Sequence, residues 1–230
     1  MIRIVGLGPS NIELMSMGAH RIIRSAPIVL VRTSCHPAVG RLSADGVVFE
    51  SMDCIYESAP TFEEVYSRIA ERILEESEKG DVVYAVPGHP LVGESSVDKL
   101  VRMASDRGID CEIIGSESFI EVVLEALGMV LDSGLKIVDA LSLDRVELAA
   151  DTGNLIYQVY DRDVASDVKL RLMERYPDDF EIAVVLGAGS PSQEVRRIPL
   201  YELDRCDPDH FTTVYVPPPG ASSATADSGT

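Results

Sequence analysis

Residues 81–93 read Asp81-Val82-Val83-Tyr84-Ala85-Val86-Pro87-Gly88-His89-Pro90-Leu91-Val92-Gly93. An apolar run passes without interruption into a proline- and glycine-rich loop. Ser95 then stands at the head of a helical pattern that puts Val97, Leu100, Val101 and Ala104 on one face. A short, continuous apolar run suits a parallel strand covered on both faces. Glycine lets a backbone come close to a ligand, and proline stiffens a loop so that it need not be ordered on binding. In open parallel sheets ligands sit beyond the carboxyl ends of the strands, which is where this loop lies.

The same grammar recurs on either side. Ile2-Arg3-Ile4-Val5 runs into Gly6-Leu7-Gly8-Pro9-Ser10. The predicted strands are Ile2–Val5, Ile28–Val31, Asp81–Val86 and Cys111–Ile114. Between them, Thr61-Phe62-Glu63-Glu64 has capping-box spacing, and Phe62, Val65, Tyr66, Ile69 and Ile73 repeat with helical period. Gly108 stops the helix that Ser95 would cap, and a further helix is expected from about Glu117 to Leu127, ending at Gly128. Repeated strand–helix alternation predicts a doubly wound parallel sheet. After about residue 130 the rhythm changes. Ile156–Tyr160, Ile182–Leu186 and Phe211–Val216 are strand candidates, with a helix around Val164, Val168 and Leu172, so a second α/β domain with some antiparallel pairing is expected. The stretch from Pro217, rich in Pro, Ser, Thr and Asp, has nothing to bury and is expected to be disordered.

Acidic residues number 38 and basic ones 20, a net charge of −18. That balance argues against nucleic acid and anionic membranes as partners, since both need positive charge. No apolar run approaches the roughly 20 residues of a membrane span. The amino terminus reads directly as a strand rather than a signal peptide, so a soluble cytoplasmic protein is expected. Cys35, Cys54, Cys111 and Cys206 are scattered without a C-x-x-C pair and read as reduced thiols. The adjacent Cys35 and His36 are poorly placed to chelate one metal, and no metal site is expected. His20 and His210 carry no pattern around them, and His210 is placed at the start of the last strand.

Nucleotide fingerprints fail on inspection. G-x-G-x-x-G would need glycine where Asn11 stands, and an acid closing the second strand, where Arg32 and Thr33 stand instead. The phosphate-loop pattern G-x-x-x-x-G-K-[ST] is absent. The order of the loops is more informative than either loop alone: V-G-L-G-P near residue 5, V-P-G-H-P-L-V near residue 86, then Gly115-Ser116-Glu117-Ser118-Phe119 at the next strand-to-helix junction. In this order the chain resembles the tetrapyrrole methylases, S-adenosylmethionine-dependent enzymes that include the uroporphyrinogen and cobalamin-precursor methyltransferases. Within them it is most similar to the methylase-like domain at the front of MazG-type nucleotide pyrophosphohydrolases, where the second loop commonly reads V-P-G-H-P. Further matching stretches include Ile156-Tyr157-Gln158-Val159-Tyr160-Asp161, Tyr176-Pro177-Asp178-Asp179 and Pro199-Leu200-Tyr201-Glu202-Leu203-Asp204-Arg205. The resemblance covers about residues 1–218.

The resemblance implies two α/β domains, residues 1–116 and 117–216, followed by the tail 217–230. It also implies a cofactor folded between the domains, and a homodimer. By position, Pro9 closes the first loop against S-adenosylmethionine. Gly88, His89, Val92 and Gly93 line it from the second loop, and Ser118 and Phe119 from the third junction. Gln158 and Val159 contribute from the strand opening the second domain, and Gly187 and Ala188 from the end of a later strand. Many members have aspartate where His89 stands. A histidine there can act as acid or base, so His89 and Tyr157 are the candidate catalytic residues. Tyr84 and Tyr160 join Tyr157 as residues that could orient an acceptor.

Methyl transfer from a sulfonium needs alignment and exclusion of water more than acid–base chemistry, which suits a sequence with no triad and no metal cluster. A run of paired glutamates of the kind that holds magnesium is missing, so nucleotide hydrolysis is not expected. The alternatives are a noncatalytic S-adenosylmethionine-binding and dimerisation module serving a pyrophosphohydrolase, or an unrelated α/β enzyme that uses a nucleotide. The family points to a tetrapyrrole as the small-molecule acceptor. A polycarboxylate substrate sits awkwardly with an acidic protein unless Arg32, Arg41 or Lys136 lines its pocket. Peptide backbones and modified protein side chains remain open as acceptors.

Overall fold

The computed structural model describes residues 1–132 and 134–220. The chain divides into two compact units, the first Met1–Val122 and the second beginning at Val123.

The first unit carries a five-stranded, fully parallel sheet. Its strands are β1 (Ile2–Gly6), β2 (Ile28–Val31), β3 (Glu50–Ser51), β4 (Val82–Val86) and β5 (Cys111–Ile114), in the order β3-β2-β4-β1-β5. The helices are α1 (Met17–Ser25), α2 (Pro37–Ala44), α3 (Asp53–Ser58), α4 (Phe62–Ser77), α5 (Ser95–Asp106) and α6 (Phe119–Leu127), within which the division falls. One core packs Ile2, Ile4, Leu30 and Tyr84 against Ile69 and Ile73 of α4 and Leu100 of α5. The other joins Val5, Val29, Val31 and Val83 to Ala19 and Ile23 of α1 and Leu42 of α2. Residues of β1, β2 and β4 alternate between the two clusters, as a strand with both faces covered requires.

Connections set the position of the site. From β1 the chain crosses over β4 to reach β2, and from β4 it crosses over β1 to reach β5. The two crossovers leave in opposite directions, so the carboxyl ends of β1 and β4 form a topological switch point. Open α/β sheets bind their ligands at such a point.

The second unit is a mixed sheet in the order β6-β7-β10-β8-β9. It contains β6 (Leu135–Asp139), β7 (Gly153–Tyr157), β8 (Glu181–Leu186), β9 (Glu194–Pro199) and β10 (Thr212–Val216). Only β6 and β7 run parallel; β10 pairs antiparallel with β7 and β8, and β8 with β9. The helix α7 (Arg162–Met173) packs Ala165, Val168 and Leu172 onto Ile156, Val184 and Val214. The expected fold class is therefore the observed one, a doubly wound parallel sheet followed by a mixed α/β unit.

Several local expectations need correction. The strand expected at Ile156–Tyr160 is β7 at Gly153–Tyr157. It ends there because Gln158 takes φ +62, and Asp161 already accepts Val164 N–H at the head of α7. Ser95 does not cap α5: the N-cap is Glu94, which makes no side-chain cap bond. Helix α6 begins at Phe119, two residues after the expected Glu117, because Ser118 and Glu121 form a capping box. Ser118 Oγ accepts Ile120 N–H at 3.1 Å, and Ser118 N–H donates to Glu121 at 2.9 Å. The last strand begins at Thr212, and His210 instead stacks on Tyr160 with ring centroids 5.7 Å apart. Strands β3, β6 and β9 were not anticipated. Thr61 does cap α4, accepting Glu64 N–H at 3.3 Å. Of the tail expected to be disordered, residues 221–230 lie outside the described residues. No helix among the described residues is long and apolar enough to cross a membrane.

Candidate functional site

Three loops meet at the carboxyl edge of the first sheet. Gly8 and Gly88 form an isolated antiparallel bridge: Gly88 N–H donates to Gly8 O at 2.7 Å, and Gly8 N–H donates to Gly88 O at 3.2 Å. Both residues take the left-handed conformation, φ +78 and +62. The bridge sits at the switch point between β1 and β4. A Cβ on Gly88 would meet nothing within 4 Å, so that face of the second loop is open.

The third loop is stitched to the first. Ser116 Oγ donates to Gly6 O at 2.7 Å and accepts Ser16 N–H at 3.0 Å, while Ser16 Oγ donates to Gly115 O at 2.7 Å. Gly6 is enclosed by this stitching. A Cβ there would lie 2.5 Å from Gly88 O and 3.0 Å from Ser116 N, both backbone atoms. Gly6→Ala should therefore force the second and third loops apart. Its expected cost is roughly 1–3 kcal/mol in urea unfolding, the usual range for overpacking. Unchanged stability would show that the loops yield freely.

His89 belongs to this frame. Its Nδ1 accepts Leu91 N–H at 3.1 Å, so in the neutral ring the proton sits on Nε2. The Nε2 edge packs on Gly115, where a Cβ would stand 2.5 Å from it. The ring thus fills the gap between the second and third loops, with Nδ1 already engaged inside its own loop. Beside it is a cavity of about 370 Å³ lined by Glu13, Leu14, Met15, Ser16, His89, Gly115, Ser116, Glu117 and Glu121. Burial alone would raise the Glu121 carboxyl. Hydrogen bonds from Ser118 outweigh it, nearby His89 adds to them, and the group sits below its ordinary range.

The other expected residues are placed as follows. Pro9 follows the bridge directly and is half-buried. Val92 N–H donates to His89 O at 3.0 Å, and Gly93 turns the chain toward α5 with φ +68. Phe119 is the first residue of α6 and is half-buried. In the second unit, Tyr157 ends β7 beside Asp139, and its phenol is pushed up by burial and by that carboxylate. Gln158 is one of two non-glycine residues with positive φ among the described residues, a conformation that β-carbons rarely accept and that clusters at functional sites. Val159 has its side chain in the core and can offer a ligand only its backbone. Gly187 has φ +56 at the end of β8, and Ala188 follows it half-buried. The structure therefore brings Pro9, Gly88, His89, Val92, Gly93, Ser118 and Phe119 to one edge of the first unit. Tyr157, Gln158, Val159, Gly187 and Ala188 lie at strand ends of the second.

Each of the three cations that could line a pocket for an anionic acceptor has a partner in the fold. Arg32 Nε lies 3.3 Å from Glu94 Oε1 and donates to Tyr56 Oη at 2.9 Å. Arg41 pairs with Asp45 at 3.4 Å, and Lys136 donates to the Glu147 carbonyl. The Arg32 pair continues inward: Ser96 Oγ donates to Glu94 at 2.7 Å and bonds Tyr84 Oη at 2.8 Å, and Tyr84 is fully buried. Burial would lower the guanidinium pKa, but Glu94, Tyr56 and Tyr84 together hold it above its ordinary value. The loop after β2 is pinned by Asp53, whose Oδ2 accepts Ser34 N–H at 2.8 Å, Ser34 Oγ–H at 2.6 Å and Ser51 Oγ–H at 2.6 Å. Burial opposes ionisation there, but these bonds bring Asp53 down to about 2.

Sequence reading missed Ser16, Glu121 and the pairing of Arg32 with Glu94 as parts of this frame. Only Ser118-Phe119-Ile120-Glu121 carried a local signal, the capping-box spacing.

Comparison with known proteins agrees with this architecture. A protein of Bacillus subtilis (strain 168), Uncharacterized protein YabN, is 38% identical over 218 residues. The match takes in 94% of this chain and 45% of that protein, so the chain spans about half the length of this relative. Uroporphyrin-III-C-methyltransferase from Thermus thermophilus superposes with a TM-score of 0.70 at 20% identity, over 94% of this chain and 91% of that one. A crystal structure of Uroporphyrin-III C-methyl transferase from the same organism, complexed with S-adenyl homocysteine, gives 0.67 at 17% identity, over 93% and 95%. The methyltransferase CobJ gives 0.75 at 18%, over 95% and 94%. At these identities the structures speak for the fold alone. The sequence model of the Tetrapyrrole (Corrin/Porphyrin) Methylases, however, matches residues 1–204 of the 230, and on that match the chain belongs to the tetrapyrrole methylase family.

Proposed function

We propose that this chain is an S-adenosylmethionine-dependent methyltransferase, with the cofactor held between its two domains. The observation that carries the reading is the Gly8–Gly88 bridge at the switch point. It puts two glycine loops side by side, and the open face of Gly88 leaves room for a ligand against the backbone. Bound S-adenosylmethionine would supply an activated methyl group on a sulfonium. The chain's own part is alignment: Pro9, Gly88, His89, Val92, Gly93, Ser118 and Phe119 would hold the cofactor from the first domain, and Gln158, Val159, Gly187 and Ala188 from the second. Well-oriented reactants gain roughly 7–11 kcal/mol of barrier in this way. His89, with its hydrogen on Nε2 while Nδ1 accepts Leu91 N–H, and Tyr157, whose phenol stays protonated, would donate to the acceptor and orient it.

The acceptor we propose is tetrapyrrole-like, on the strength of the family. With Arg32, Arg41 and Lys136 engaged, its carboxylates would need other cations. The V-P-G-H-P loop supports a place beside the MazG-type methylase-like domains, and we propose a cytoplasmic homodimer. Calorimetry with S-adenosylhomocysteine, followed by transfer of a labelled methyl group to a tetrapyrrole panel, tests the reading. Saturable binding and transfer are expected. Absence of binding overturns the reading. Binding with no transfer to any acceptor would favour a noncatalytic module.

A further inference from the structure

His36 follows β2, with the Gly8 backbone of the first loop nearby. It is 4% exposed and stands at the N-cap of α2, where its Nδ1 accepts Ala38 N–H at 3.3 Å. A ring nitrogen that accepts carries no proton, so the neutral imidazole keeps its hydrogen on Nε2. That Nε2 is buried without a hydrogen-bond partner among the described residues, and the Gly8 backbone is near enough to the ring to pull its pKa up against burial. Gly8 is the residue whose carbonyl accepts Gly88 N–H. It has no slack on its other side, since a Cβ there would stand 2.7 Å from Leu14 O. The loop that delivers His36 is itself held by Asp53 through Ser34.

A buried donor without a partner needs an explanation, and one aimed at a backbone dipole in a low-dielectric interior has a strong orienting effect. We propose that His36 is a positioning residue, whose Nε2–H beneath the Gly8 carbonyl sets the first loop at the height that the Gly8–Gly88 bridge, and with it the cofactor, requires. The link to the cofactor rests on the function proposed above; the link to the bridge does not. The ring acts through Gly8 and touches no substrate.

Two substitutions separate the ring's two nitrogens. In His36→Asn the side-chain oxygen keeps the cap on α2, but nothing donates from the place of Nε2. In His36→Gln the amide nitrogen can reach that place. Amide exchange at Gly8 and Gly88 in the ligand-free protein, and the calorimetric Kd for S-adenosylhomocysteine, are the readouts. In His36→Asn both should worsen by about threefold, short of the roughly tenfold of a full hydrogen bond because Nε2–H is not in hydrogen-bond geometry. His36→Gln should restore them. Wild-type exchange in His36→Asn overturns the proposal. If the wild type binds no S-adenosylhomocysteine, the proposed function fails and exchange alone decides on His36. A long-range proton–nitrogen spectrum of the wild type needs no variant: a hydrogen on Nε2 at pH 7 supports the proposal, and one on Nδ1 overturns it.

Discussion

Replacing Arg32 with alanine should destabilise the first unit by roughly 3–5 kcal/mol, the cost of leaving a buried charge without its partner. The Glu94 side chain is only 4% exposed, whereas that of Arg32 is 28% exposed. Losing Arg32 strands the carboxylate in the interior, with Ser96 Oγ as its remaining donor. Losing the charge of Glu94 instead leaves a guanidinium that still reaches solvent and still donates to Tyr56. The two variants should therefore differ. Arg32→Ala falls at the lower end of the range if water enters the vacated space, and Glu94→Gln should cost about 1 kcal/mol, the worth of an ordinary hydrogen bond. Combining Arg32→Ala with Glu94→Gln should recover much of the loss, because no uncompensated charge then remains. Urea unfolding of the three proteins checks this order. Equal losses for the two single variants would mean that the pair is solvated and structurally idle.

The sequence signalled the parts of the fold that depend on short-range physics. Val82–Val86 and Ile28–Val31 read as strands because unbroken apolar runs have one economical home, the middle of a covered sheet. The helix at Phe62–Ser77 was legible because its cap and its apolar stripe agree. Strand β9 was not, since Glu194, Arg196 and Arg197 surround Val195 and Ile198 and the strand pairs on one side only. A charged edge strand hides its period in this way. The two glycine loops were found from composition, but their bridge was not: Gly8 and Gly88 meet only because β1 and β4 are neighbours in the sheet. Arg32 shows the same limit. By sequence it is one of three cations that could line an acceptor pocket; the fold gives it Glu94.

His36 should make the stability of the first unit pH-dependent in a window where few other groups act. Burial lowers its pKa from 6.5 to about 4, against a smaller opposing pull from the Gly8 backbone. The native state therefore favours the neutral ring, and the unfolded chain takes up the proton first as the pH falls. The stabilisation is fully present above pH 6.5 and is lost progressively as the pH falls towards 4. Below that value both states are protonated and no further loss follows. The whole shift corresponds to something on the order of 3 kcal/mol, of which about 2 kcal/mol should be gone by pH 5. Asp53 does not blur the range between pH 7 and 5, because its contribution begins to fall only as the pH approaches the ordinary aspartate value of 3.8. Glu121, also depressed, begins to contribute only as the pH approaches its ordinary 4.5. Protonation also has a geometric consequence. It puts the ring's second hydrogen on the previously unprotonated Nδ1, where Ala38 N–H already points, so the cap of α2 is disturbed. Urea titrations between pH 7 and 5, read on amide signals of β4, should show stability falling in the wild type and staying flat in His36→Asn. An identical slope in both proteins would locate the titrating group elsewhere and remove His36 from the account.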